Sequence, residues 1–165
     1  MRIAGMSVAS ISFTTAVLIA LGALGARLTR LGPWYRALRK PSWQPPDFAF
    51  GPAWTLIFLL TGASAVIAWN SVRATPMQRR GVLIAFGVNA MLNSLWSYLF
   101  FARRRPDWAM IEVLFFWVSI IAMIDVVRPL SSGAAWLLAP YLAWVTFASV
   151  LNQRIVALNG PFTKP

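Results

Sequence analysis

The chain has 165 residues, 59 % of them hydrophobic and 12 % charged, with a formal net charge of +11. Its mean hydropathy of +0.66 exceeds what a single soluble core of this size can hide, so the surplus apolar surface requires lipid. The absence of Cys and His excludes disulfides, thiolate chemistry, His-based metal sites and a His-ligated haem. Four carboxylates, Asp47, Asp107, Glu112 and Asp125, leave little for acid–base catalysis or calcium binding. In so apolar a chain the basic residues read as a topology signal, and no nucleic-acid partner is expected.

Five segments reach the ~20 residues that a bilayer crossing takes at a rise of ~1.5 Å per residue. The first covers 7–26. Its end, "ALGALGA", has the look of a signal-peptide cleavage site, but the run is as long as a full span and Arg27 and Arg30 follow at once. A long connection then carries "KPSWQPPDFAFGPAWT", a stiff, aromatic stretch that runs directly into the second span, 51–70. The third span, 82–102, places Asn89, Asn93 and Trp96 at i, i+4 and i+7, on one helical face. Amides in a span face the bundle interior, as interhelical hydrogen-bond glue or as the wall of a cavity, and the spacing fits both. The fourth span is 108–127. Glu112, one turn in, is expected to pair with Arg103–Arg105, and Asp125 with Arg128 at i+3. The fifth, 136–158, carries Trp144, Ala148 and Leu151 as one stripe, read as core packing or as a cavity wall.

The nine tryptophans divide by depth. Trp69, Trp108 and Trp136 fall at helix ends, where indoles anchor in the headgroup zone. Trp54, Trp96, Trp117 and Trp144 lie within spans, where each N–H needs an acceptor, and so are expected to point inward. Gly22 with Ala26, and Gly81 with Ala85, are spaced for close helix contacts. No Gly-rich phosphate loop, nucleophile–base pair or carboxylate pair at helical spacing is present. With no period-two alternation either, the fold class is an all-α integral membrane protein, a five-transmembrane-helix bundle forming one domain over 1–165.

Arg2, Arg73, Arg79, Arg80 and Arg128 fall on one side of that bundle. The other side holds Arg27, Arg30, Arg36, Arg39, Lys40, Arg103, Arg104, Arg105, Arg154 and Lys164. The positive-inside rule puts the N-terminus outside, and the first loop and C-terminus in the cytoplasm.

The stretch "WYRALRKPSWQPPDFAFGPAWT", followed by "LNSLWSYLFFARRR", "DWAMIE" and "LLAPYLAWVTFASVLNQRI", resembles the signature of the TspO/MBR family of tryptophan-rich sensory and translocator proteins. The resemblance runs from about Gly22 to Asn159. It implies a dimeric five-helix bundle with a ligand pocket under the first loop, binding porphyrins and other tetrapyrroles, cholesterol, or synthetic isoquinoline and benzodiazepine ligands. Carried over by motif, the implied ligand-binding positions are Ala26, Phe50, Trp54, Asn93, Trp96, Trp108, Trp144, Ala148 and Leu151. Trp43 joins them at the pocket entrance. Porphyrin binding for sensing, regulation or transport is the function implied. A light-dependent degradation of porphyrin, with Trp54 and Trp144 as the reactive groups, or transport of cholesterol or another lipid, are the alternatives. No cofactor and no metal is expected. Without His or Cys, metal-free porphyrin is expected to bind at least as well as haem.

Two departures bear on that expectation. Phe58 stands where the family often has Tyr, which removes a hydroxyl donor. In "VLNQR", Asn152 and Gln153 replace the Tyr of a sterol-recognition pattern. The prolines stiffen the first loop by fixing φ, which presents Trp43 and Trp54 at the entrance with little ordering cost on binding. Arg36, Arg39 and Lys40 are positioned to meet the propionates of a bound macrocycle.

Overall fold

The structure, a computed structural model, describes residues 2–3 and 6–162. Lys164, counted above toward topology, lies outside the described residues. A minimal antiparallel pair, β1 (Arg2–Ile3) and β2 (Met6–Ser7), leads into α1, Val8–Leu28. The remaining elements are α2 (Pro33–Ala37), α3 (Asp47–Asn70), α4 (Pro76–Ser97), α5 (Pro106–Val127), α6 (Ser132–Trp136) and α7 (Ala139–Asn159). A turn of π-helix, Tyr98–Ala102, continues α4. Among the described residues, five helical stretches are long and apolar enough to cross a membrane, with α6 and α7 counting as one of 28 residues. The fold is an all-α, five-span membrane bundle.

Local chemistry explains where the helices depart from the predicted spans. The second begins at Asp47, four residues before the expected 51, because the acidic Asp47 favours the positive end of a helix dipole. Pro52 then sits within the helix, close enough to its start that little of the backbone ladder is disturbed. The third begins at Pro76 rather than 82. Thr75 Oγ1 accepts from the Gln78 N–H at 3.2 Å, and the Thr75 N–H donates to Gln78 Oε1 at 2.9 Å, a complete capping box. The fifth is broken in two at Leu137–Leu138, since Pro140 in the first turn of α7 has no N–H to continue the ladder from α6.

Helix α5 is the axis of the bundle. Ala109, Glu112, Val113, Phe116, Ser119, Ile120, Met123 and Val127 are all buried, at helical spacing, against α4 and α7. Helix α1 has no buried residue and leans on α3. They pack tightly at Gly62, where an added Cβ would stand 2.6 Å from Leu18 Cδ1. At the end of the bundle away from the first loop, Asn70 ties the two helices together. It accepts from the Ser7 N–H and donates to Ser10 Oγ, both at 2.8 Å.

Several expected contacts take another form. Gly22 and Ala26 face a cavity rather than a neighbouring helix, whereas Gly81 and Ala85 do lie against α5, where a Cβ added at Gly81 would stand 3.7 Å from Val126 Cγ1 and Ala85 packs on the core group of Met123 and Val127. Trp117 points outward, its N–H donating to Thr146 Oγ1 at 2.8 Å. Helix α7 thus supplies the acceptor that seemed to demand an interior position. Asp125 and Arg128 form no ion pair; among the described residues the two ion pairs are Lys40–Asp47 and Arg105–Asp107. Glu112 does not reach Arg103–Arg105 either, because its place on α5 turns it into the bundle while Arg105 forks onto the nearer Asp107.

Candidate functional site

The C-terminal ends of α1, α4 and α7 meet the N-terminal end of α3 beneath the first loop, where they enclose a cavity of about 550 Å³. That size falls within the ~300–1,000 Å³ range of small-molecule sites. Its floor and walls are aromatic. Trp144 meets Phe50 edge-on with ring centres 5.6 Å apart, and Trp54 meets Trp144 at 6.5 Å and Tyr141 at 6.0 Å, again edge-on. On the opposite wall, Trp96 stacks on Phe100 at 5.1 Å. Edge-to-face pairing directs ring edges into neighbouring π-faces and holds the indoles in fixed orientations.

Eight of the ten ligand-binding residues expected from the sequence line this one cavity: Ala26, Phe50, Trp54, Asn93, Trp96, Trp144, Ala148 and Leu151. The structure places the other two elsewhere. Trp43 lies on the outer side of the loop, 46 % exposed, with its ring edge-on to Phe147 at 5.8 Å. Trp108 is equally exposed on α5, beneath the Arg105 guanidinium at 4.3 Å, and does not line the cavity. The lining also contains residues the motifs did not mark: Gly22 and Gly25 of α1, Tyr35, Asp47, Phe58 and Asn152. For Gly22 and Gly25 a signal existed, because a small-residue face that packs on no helix leaves space.

A polar cluster fixes the cover of this cavity. Tyr35 OH donates to Asp47 Oδ1 at 3.0 Å, and Gln44 Nε2 donates to both partners at 3.4 Å. Lys40 Nζ lies 3.7 Å above the Tyr35 ring and 3.6 Å from Asp47. Burial, together with the neighbouring Asp47 carboxylate, raises the Tyr35 phenol above its ordinary range. Lys40 is thereby engaged within the loop, whereas Arg36 and Arg39 are exposed.

The amide stripe of α4 serves two purposes. Asn89 donates to Ser119 Oγ at 2.9 Å and accepts from Tyr141 OH at 3.0 Å, joining α4, α5 and α7. Asn93, one turn on, reaches Tyr141 OH at 3.4 Å and lines the cavity. Asn152 does similar work on α7. In the amide orientation that satisfies both groups, it donates to the Pro106 carbonyl at 3.2 Å and accepts from the Met110 N–H at 3.1 Å. A second, more apolar cavity of about 560 Å³ lies between α1, α3 and α4, and shares Phe58 and Asn93 with the first.

The sequence matches the TspO/MBR family over residues 13–158. It is 36 % identical to the tryptophan-rich protein TspO of Chlorobaculum tepidum, over 86 % of this chain and 90 % of the relative. It is 32 % identical to protein CrtK of Rhodobacter capsulatus, over 87 % and 88 %. Identity to the translocator protein of Bos taurus is 33 %, over 81 % and 80 %. With matches over most of both partners and a bundle of five apolar spans, the chain is an integral, multi-pass membrane protein and belongs to the TspO/MBR family.

Proposed function

We propose that this protein binds a tetrapyrrole, with protoporphyrin IX as its test ligand, in the aromatic cavity beneath the first loop, for sensing, regulation or transport. The observation that carries this reading is the convergence of Trp54, Trp96, Trp144 and Phe50 on one cavity of about 550 Å³ with a built cover. Several fixed aromatic rings suit a flat conjugated macrocycle, because stacked and edge-on contacts gain energy without further ordering. Exposed Arg36 and Arg39 on the cover supply positive charge for peripheral carboxylates, and the names of the relatives, tryptophan-rich protein and translocator protein, fit a membrane ligand carrier or sensor. The reading includes a homodimer in a lipid bilayer with the covered end facing the cytoplasm.

Tryptophan fluorescence of the detergent-solubilised protein, titrated with protoporphyrin IX in darkness and then under illumination, tests it. Saturable quenching that weakens in Trp54→Phe and Trp144→Phe supports the site. Quenching that never saturates, or is identical in the variants, rejects it. A new absorbing product formed only in light would make the protein a porphyrin-degrading enzyme instead of a carrier or sensor. Cysteine crosslinking across the bundle surface in native membranes reads the oligomeric state, and a cysteine placed in the first loop reports its side through impermeant labelling.

A further inference from the structure

The second cavity differs from the first in its chemistry and in the end of the bundle it serves. Its walls run over residues 10–21 of α1, 58–69 of α3 and 82–93 of α4, each a length of roughly 17 Å at the rise of a helix. A volume of about 560 Å³ drawn out over that length is a channel parallel to the helices. Half of a ~30 Å hydrocarbon core is ~15 Å, the depth of a single lipid tail. The inner end of the channel is closed by Phe58, near the middle of α3, and no residue lining it is charged. Its outer end is polar. Ser7, Ser10 and Trp69 line it there, and the neighbouring Asn70 holds the two serines at 2.8 Å. Arg79, one turn before Leu83 on the α4 face that lines the channel, donates from Nε to the Trp69 carbonyl at 3.1 Å. A guanidinium is thereby fixed at the rim. Among the described residues its Nη groups meet no acceptor, and neither ion pair includes it. Asp125, the carboxylate on this side of the bundle, is exposed and pairs with no cation.

We propose that this channel binds a long-chain carboxylate, a fatty-acid anion whose tail lies between α1, α3 and α4 and whose head group sits at Arg79. The uncharged wall admits a hydrocarbon chain and penalises a polar body. The rim adds one guanidinium with free donors in a planar fork, which suits one carboxylate held by two parallel hydrogen bonds. A second copy of the chain would cover the opening with apolar helix faces and leave that cation unmatched, so the charge favours the amphiphile. The site lies outside the aromatic cavity and stands independently of what that cavity binds.

The test uses tritiated hexadecanoic acid and tritiated hexadecanol, binding to detergent-solubilised protein at neutral pH. Each probe's affinity for wild type is compared with its affinity for a variant, which cancels partitioning into micelles. A Cβ added at Gly87 meets nothing within 4 Å, and Gly87 lines this channel but not the aromatic cavity. Gly87→Leu is therefore expected to fill the channel and weaken both probes at least about tenfold, with thermal unfolding unchanged. Should it not fold, Ala90→Leu obstructs the same wall. Arg79→Gln is expected to weaken hexadecanoate about tenfold and to leave hexadecanol within about twofold, and Arg79→Lys to recover part of the loss. Unchanged binding of both probes in the channel-filling variant would place the chains on the outer surface of the bundle and overturn the proposal. Equal effects of Arg79→Gln on the acid and the alcohol would overturn it as well, since the head group would then go unread. A change of oligomeric state in Gly87→Leu with hexadecanoate binding intact would make the channel an interface between copies and overturn it too.

Discussion

Asn159, the last residue of α7, grips both polar groups of the Arg39 peptide: the Arg39 N–H donates to Asn159 Oδ1 at 2.7 Å, and Asn159 Nδ2 donates back to the Arg39 carbonyl at 2.8 Å. A backbone segment of the first loop is thereby paired much as a neighbouring strand would pair it, across 120 residues of sequence. The cover of the cavity is held at one edge by this amide and at the other by the Tyr35–Asp47 bond. Replacing Asn159 with Ala removes the first of these. Amide hydrogen exchange over residues 38–46 is expected to accelerate about tenfold, as for the loss of two solvent-accessible bonds, with α5 amides unchanged. Uniform acceleration through the bundle would show that Asn159 supports the fold rather than the cover.

Ala148 faces the cavity from α7, beside Trp144 and Leu151 on the same stripe. An indole at this position occupies open space instead of packed core, so Ala148→Trp is expected to cost less than the ~1–3 kcal/mol of ordinary overpacking. Protoporphyrin affinity should fall by at least about tenfold, since each 1.4 kcal/mol of lost contact is one decade. Fluorescence titration checks the affinity, and thermal unfolding in the same detergent checks the stability.

Tyr35 gives the cover a sensitivity to alkali. Its phenol is raised from the ordinary 10.0, first by burial and then by the Asp47 charge, so the native state favours the protonated form. The stabilisation is complete below the unfolded value of 10.0 and declines as pH rises above it toward the native value. Loop protection, taken relative to the intrinsic base-catalysed exchange rate, should therefore fall as pH rises above 10 in wild type. In Tyr35→Phe it should already be lower at neutral pH, where the bond to Asp47 is gone, and show no further fall in alkali. Ultraviolet absorbance of tyrosinate provides the independent titration.

Gly62 sets the distance between α1 and α3. An added Cβ lies 2.6 Å from Leu18 Cδ1 and 3.3 Å from Thr14 Cγ2. A Leu tip can turn aside, so Gly62→Ala is expected to cost under about 1 kcal/mol, whereas the branched Gly62→Val should cost about 1–3 kcal/mol. Combining Gly62→Val with Leu18→Ala should recover most of the loss, a coupling that a double-mutant cycle in thermal unfolding would read. Additive losses would place the strain somewhere other than the α1–α3 contact.

The sequence by itself determined the membrane class, the number of spans and the general place of the aromatic wall. Hydropathy over ~20 residues is a local property, and stripes such as Asn89–Asn93–Trp96 and Trp144–Ala148–Leu151 need only the helical period to be seen. The capping box at Thr75 and Gln78 was also local, and reading it would have moved the start of the third helix to Pro76. Tertiary structure alone decided which side of each stripe met what. Asn89 became a bridge to Ser119 and Tyr141, while Asn93, one turn on and still within reach of Tyr141, opened on the cavity. Trp117 found its acceptor on the outer face, Gly22 and Ala26 found empty space, and Glu112 found no cation. Periodicity tells which residues share a face; what that face meets depends on the rotation and offset of its neighbours, and no single segment encodes either.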